Sequence, residues 1–172
     1  MSDLGTGASG RFRTGGVQDF AASELFDRTF QEGMELVEET AAYLDGSGRQ
    51  DSKLLSRSAA LAYAGESMRL TTRLMQVASW LLVQRAVREG DMAAAEACQE
   101  RYRLAEPNED FAEDRADDLP GGLLGLLDRS ARLYERVLHL DRRMYVAEPA
   151  DDAAHPVLSQ FERLEAHFGK DG

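Results

Sequence analysis

The chain has 172 residues, enough for one domain with a real core, because a domain near this size buries about 70% of its unfolded surface. Its net charge of −11 argues against nucleic acid, which calls for clustered Lys and Arg, and disfavours anionic membranes. Cys98 stands alone, so no intramolecular disulfide can form, no stretch resembles a signal peptide, and no run approaches ~20 apolar residues. The expectation is a cytoplasmic protein without membrane insertion, working through protein partners.

Residues 1–16 combine five glycines with small polar residues and read as a flexible arm. Gly5-Thr6-Gly7-Ala8-Ser9-Gly10 spells G-x-G-x-x-G. Four residues cannot supply the strand that must precede that pattern, so no nucleotide site is expected. Residues 17–147 form the predicted helical-bundle domain, and 148–172 a linker with an amphipathic C-terminal tail.

The first helix is predicted from about Asp19 to Leu44, with Phe26, Phe30, Met34, Val37, Ala41 and Leu44 on one face. Its other side is strongly acidic, and from Val17 to Asp45 there are eight acids against one Arg. That face is either a solvated surface or an acidic docking face. Asp45-Gly46-Ser47-Gly48 then turns the chain back.

Lys53 to Glu89 contains no proline and reads as one long central helix, with Asp51 and Ser52 as candidate N-caps and Gly90 to stop it. At 100° steps Leu54, Leu61, Met68, Met75 and Leu82 form one apolar band, and Tyr63, Leu70, Leu74, Val77 and Leu81 a second beside it. Together they ask for neighbours on two sides. Ser58, Gly65, Thr72 and Ser79 lie next to the first band, and such small residues let a neighbouring helix approach closely. Trp80 falls in the polar arc with Arg69 and Arg73. It is either covered by the chain's own shorter helix or N-terminal arm, or it is an anchor for docking or dimerisation.

Asp91 is the candidate N-cap of a shorter, alanine-rich helix reaching about Leu104, and Glu106 to Asp118, with seven acids and Phe111, reads as a long solvated loop. The third main helix opens at Leu119-Pro120. Leu119, Leu126, Leu133 and Leu140 repeat every seven residues, a bundle or coiled-coil seam. Leu124, Leu127, Tyr134 and Leu138 widen the arc, so this helix also calls for two neighbours, one expected inside the chain and the other a candidate second copy of the protein. In the tail, Val157, Leu158, Phe161, Leu164 and Phe168 sit at helical spacing, either to pack on the bundle or to order on a partner. The fold class is therefore all-α: an antiparallel helical bundle of three main helices with a shorter extra helix and flexible termini.

No catalytic arrangement emerges. His139, His155 and His167 have no metal-ligand spacing, Cys98 has no nearby His, and there is no nucleophile elbow or phosphate loop. No enzyme, cofactor or metal is expected, and the candidate partner-binding residues are Arg69, Arg73, Trp80, Val157, Leu158, Phe161, Leu164 and Phe168.

Two segments carry a resemblance: Val77-Ala78-Ser79-Trp80-Leu81-Leu82 running into Arg88-Glu89-Gly90-Asp91-Met92, and Leu119-Pro120 through Ser130-Ala131-Arg132-Leu133-Tyr134-Glu135-Arg136-Val137 to Leu140-Asp141-Arg142. Over about residues 17 to 145 the chain resembles the RcdA family, regulators of CtrA degradation. The resemblance implies a helical-bundle homodimer acting as a protease adaptor, which helps deliver cell-cycle substrates such as CtrA to ClpXP with the companion factors CpdR and PopA. It carries no catalytic residues. The competing reading is a dimeric helical scaffold or signalling module with no role in proteolysis.

Overall fold

The computed structural model describes residues 16–106 and 118–146. The expected N-terminal arm up to residue 15, most of the acidic loop with Phe111, and the tail with Val157, Leu158, Phe161, Leu164 and Phe168 lie outside them. Three long helices make the bundle: α1, Glu24–Asp45; α3, Arg57–Glu89; and α5, Gly121–Val146. Between them come the short α2, Ser47–Ser52, and α4, Ala94–Ala97, with a 3-10 turn at Glu100–Tyr102. Residues 16–21 form a further helical turn ahead of α1.

Local chemistry explains most of the boundaries. Ser23 Oγ accepts from the Phe26 amide at 3.2 Å and starts α1, so the helix begins later than Asp19 and the 16–21 turn stands apart. Ser56, not Asp51 or Ser52, caps α3, its Oγ accepting from the Ala59 amide at 3.2 Å. Residues 47–52 instead belong to α2, where a simple turn was expected. At the far end Gly90 takes φ +81°, and the Asp91 amide donates to Ala86 O at 2.9 Å, closing the carbonyls that the helix end leaves open. The shorter helix is corrected most: Ala93 stands at its N-terminus in place of Asp91, and it is one turn long. Cys98 is half-buried behind it.

Cross-helix bonds set the directions. Glu39 pairs with Arg129 and Glu32 with Arg136, so α1 and α5 are antiparallel; Asp27 pairs with Arg88, so α1 and α3 are antiparallel as well. Arg73 bonds to Ser130 and Trp80 to Asp141, which makes α3 and α5 parallel. The chain therefore has to return along the bundle between Gly90 and Gly121. The acids of α1 find most of their cross-helix partners on α5, not among the arginines of the central helix.

The core joins Phe26 and Leu36 of α1, Leu70, Leu74, Val77 and Leu81 of α3, and Leu123, Leu126, Leu133 and Val137 of α5. The leucine repeat of the third helix is thus core, with Leu119, Leu126 and Leu133 all buried. The buried line of α1 differs from the expected one. It runs through Phe26, Thr29, Gly33, Leu36 and Thr40, with Phe30, Met34 and Val37 at its margin and Ala41 exposed. A Cβ on Gly33 would lie 2.8 Å from Leu81 Cδ1, so the missing side chain is what lets α1 come this close. A second cluster, Val17 with Ala94 and Ala97, seals the end of the bundle against Val83, Val87 and Met144.

Candidate interaction site

Trp80 is 2% exposed. It sits near the C-terminal end of α3, under Phe20 from the turn before α1 (ring centroids 5.5 Å apart) and in the same core cluster as Leu104. Its indole Nε1 donates to Asp141 Oδ1 at 2.9 Å. Asp141 is itself fully buried on α5, and its Oδ2 accepts from Arg103 Nη2 at 3.3 Å. One buried carboxylate therefore ties together the central helix, the third helix and the returning segment, as a buried charge must if its oxygens are not to be left unpaired. The Tyr134 hydroxyl donates to Ala105 O beside it, Arg142 pairs with Glu106, and Leu104 packs into the core. Burial raises the Tyr134 pKa above the usual phenol value.

Of the two readings of Trp80, the placement supports cover by the chain itself: an indole with 2% exposure offers a partner no surface. Arg69 and Arg73 also have intramolecular bonds. Arg69 Nη1 lies 2.7 Å from Glu66 Oε1, and Arg73 Nη1 donates to Ser130 Oγ at 3.0 Å and to Leu127 O at 3.3 Å. The three residues are not one patch but successive ties along α3. Asp141 and Arg103 were missed in the sequence. The available signal was an acid at 141 continuing the buried spacing of Tyr134, Val137 and Leu138, an acid on an apolar face.

The larger correction concerns the first apolar band of the central helix. Leu54, just ahead of α3, is 86% exposed, Leu61 70%, Met68 72%, Met75 64% and Leu82 51%. The second band fills the core, while the first faces outward for the length of α3. The third helix shows the reverse for most of its wider arc: Leu127, Tyr134 and Leu138 are buried within the chain, while Leu124 of the same arc is 38% exposed. Beside the outward band lies a groove of about 510 Å³, between Thr72, Met75, Ser79 and Val83 on one side and Tyr102 to Ala105 on the other. A second, open groove of about 710 Å³ runs between α1 and α5 past Leu25, Leu140 and His139; its Arg129 and Arg136 are ion-paired across it.

Among the described residues no group of three or more His, Cys, Asp or Glu side chains is placed to hold a metal ion, and no helix is long and apolar enough to cross a membrane.

A family profile described as a protein of unknown function, DUF1465, matches residues 17–168. Among solved structures, RcdA from Caulobacter crescentus CB15 superposes with a TM-score of 0.64 at 69% sequence identity, over 76% of this chain and 99% of that one. The chain belongs to the RcdA family. No curated protein sequence matches it. The match with RcdA takes in nearly all of that solved chain, so the two proteins share the helical bundle.

Proposed function

We propose that the protein is a non-enzymatic adaptor of regulated proteolysis in the cytoplasm. As a homodimer it helps deliver cell-cycle substrates, with CtrA as the type case, to the ClpXP protease, together with CpdR and PopA. The observation that carries this reading is the 69% identity to RcdA across 99% of that chain. At that identity the surfaces that choose partners have had limited room to diverge along with the fold. An adaptor needs a rigid body and separate contact elements, and the bundle with its outward apolar band supplies the first and a candidate for the second. The apolar residues Val157, Leu158, Phe161, Leu164 and Phe168 of the C-terminal segment make the protease-side contact, in the manner of a short amphipathic helix that orders in a partner's groove.

The test is reconstituted degradation of CtrA by ClpXP with CpdR and PopA, in the presence and absence of the protein. Degradation should accelerate when it is added. A chain lacking residues 149–172 should keep its helicity and dimer while failing to accelerate degradation; full acceleration by the truncated chain would remove the tail from the mechanism. A chain without effect on any component would favour a dimeric scaffold outside proteolysis.

A further inference from the structure

The open groove between α1 and α5 is lined, among the described residues, by those two helices alone. At the end near the C-terminus of α5 its floor is apolar, with Leu25 of α1 52% exposed and Leu140 of α5 half-buried. Its two walls differ in charge. The α5 side carries Arg129, Arg132 and Arg136 against the single acid Glu135, whereas the charged residue on the α1 side is Glu32. The three arginines already hold Glu39, Asp128 and Glu32, but all of these pairs are exposed, and exposed pairs hold weakly enough to share an arginine with a further carboxylate.

The chain continues for 26 residues beyond the end of α5, the helix that forms one wall. Within them Val157, Leu158, Phe161, Leu164 and Phe168 share one stripe at 100° steps, and a segment of about twelve residues is too short to be a stable free helix in water. The stripe needs a surface. As a helix Val157 to Phe168 is about 16 Å long, and Arg129 to Leu140 along the groove is the same, both being eleven steps of ~1.5 Å. The linker also reaches. Val146 lies roughly 26 Å along α5 from the level of Arg129, with one helix spacing of about 10 Å to cross sideways, and the eleven steps from Val146 to Val157 span up to about 36 Å when extended.

Charge sets the direction. At 100° steps Glu162 and Glu165 flank the stripe on one side, and Arg163 and His167 on the other. On α5, Ser130 and Asp141 face α3, Arg129 and Arg136 face α1, and Arg132 faces the groove, an anticlockwise order seen from the N-terminus of α5. Because every α-helix has the same hand, a helix laid stripe-down in the groove and parallel to α5 turns Glu162 and Glu165 to the arginine wall and Arg163 toward Glu32 of α1. Laid antiparallel, it would set like charges face to face.

We propose that residues 157–168 occupy the α1–α5 groove of their own chain as a fourth helix parallel to α5, with Phe168 against Leu25 and Leu140. The consequence rests on the reading that this segment makes the protease-side contact. The groove and the protease then compete for one apolar stripe, and the groove holds the contact element in reserve until the protease displaces it.

Cysteine cross-linking in the full chain with Cys98→Ser tests the placement. Gly169→Cys with His139→Cys should oxidise to a disulfide within one chain, running as a monomer on a non-reducing gel. Gly169→Cys with Arg129→Cys, at the far end of the groove, should oxidise at least tenfold more slowly. Equal rates, or a faster reaction at Arg129→Cys, would overturn the proposal, and so would a product that runs as a linked dimer, which puts the segment in the groove of a second copy. Leu25→Glu, on an exposed position, should slow the His139→Cys disulfide at least tenfold and raise degradation above that given by the wild type in the assay described above; an unchanged disulfide rate would overturn the groove as the docking site. The two readings fail separately. A chain that accelerates degradation without forming the His139→Cys cross-link keeps the adaptor reading and loses the docked helix, whereas a chain that cross-links and never affects degradation keeps the docked helix and loses its reserve role.

Discussion

Replacing Trp80 by Phe keeps an aromatic ring in the core and removes one donor. Asp141, fully buried, then loses the 2.9 Å bond to its Oδ1 and keeps the longer 3.3 Å contact with Arg103. A hydrogen bond to a charged group is worth about 1.5–3 kcal/mol, and the unpaired buried oxygen puts this one toward the upper end of that range. The smaller ring leaves a partial cavity beneath Phe20, adding roughly 1 kcal/mol. The expected loss is about 3 kcal/mol, out of a total stability of about 5–15 kcal/mol for a domain of this kind. At about 2–4 °C per kcal/mol for a domain this long, the midpoint should fall by roughly 6–12 °C. Urea unfolding followed by far-ultraviolet circular dichroism reads the change, since Trp80 is the chain's single tryptophan and its fluorescence goes with it. Protein concentration has to be held constant, because self-association of the proposed homodimer would contribute to apparent stability. Asp141→Asn and the double variant complete the cycle, with a coupling of about 1–2 kcal/mol expected. A loss under about 0.5 kcal/mol for Trp80→Phe, with additive variants, would show that the carboxylate is not a tie and refute the account of how the returning segment is held.

Glycines give a paired test. A Cβ on Gly48 would meet Tyr43 O and the Tyr63 hydroxyl oxygen, each at 2.7 Å, and one on Gly122 would come 2.5 Å from the Tyr43 ring, so either alanine variant should lose about 1–3 kcal/mol in urea unfolding. Gly125 has nothing within 4 Å of an added Cβ and is exposed in the second turn of α5, so Gly125→Ala should gain about 0.5–1 kcal/mol. Burial first, then the nearby Tyr63 and Asp51, pushes the Tyr43 hydroxyl from 10.0 up to about 12. Because the folded value lies above the unfolded one, the stability this group contributes is complete below about pH 10 and is lost as pH rises through about 12. Tyr43→Phe should flatten the alkaline limb of the stability curve in that window. The Glu106 carboxyl is held below its usual value by its hydrogen bond to Arg142. Its contribution therefore runs the other way, present above the ordinary Glu range and lost as the solution is acidified through the folded value. Arg142→Gln should remove that acid dependence in the same unfolding experiment.

Much of the architecture follows from the chain alone. Apolar spacing of three, four and seven residues places three long helices, the Gly90 stop comes from a backbone angle that only glycine accepts cheaply, and the leucine repeat from Leu119 to Leu133 is core because a seam at that period must be covered. The boundaries that shifted did so because capping depends on where the backbone turns: Ser56 and Ser23 had the geometry to cap, whereas Asp51 lies in α2 and Asp91 does not cap α4. The direction of the third helix, parallel to α3, also had to come from cross-helix contacts, since periodicity carries no sense of direction.

The candidate site divides along the same line. Hydropathy marked two apolar bands on the central helix and one indole on its polar side as places that need a neighbour; within the chain the second band and the indole have one, and the first faces outward. It could not say which neighbour. The chain covers Trp80 itself, with Phe20 and Leu104, and supplies a buried carboxylate seven residues beyond Tyr134. The same packing spends α1 and α5 on the band containing Leu70, Leu74 and Leu81, and leaves Leu61, Met68, Met75 and Leu82 exposed. A side chain's wish to leave water is written in its chemistry. Which surface removes it depends on how three helices can lie against one another, and three helices enclose only one side of the central one.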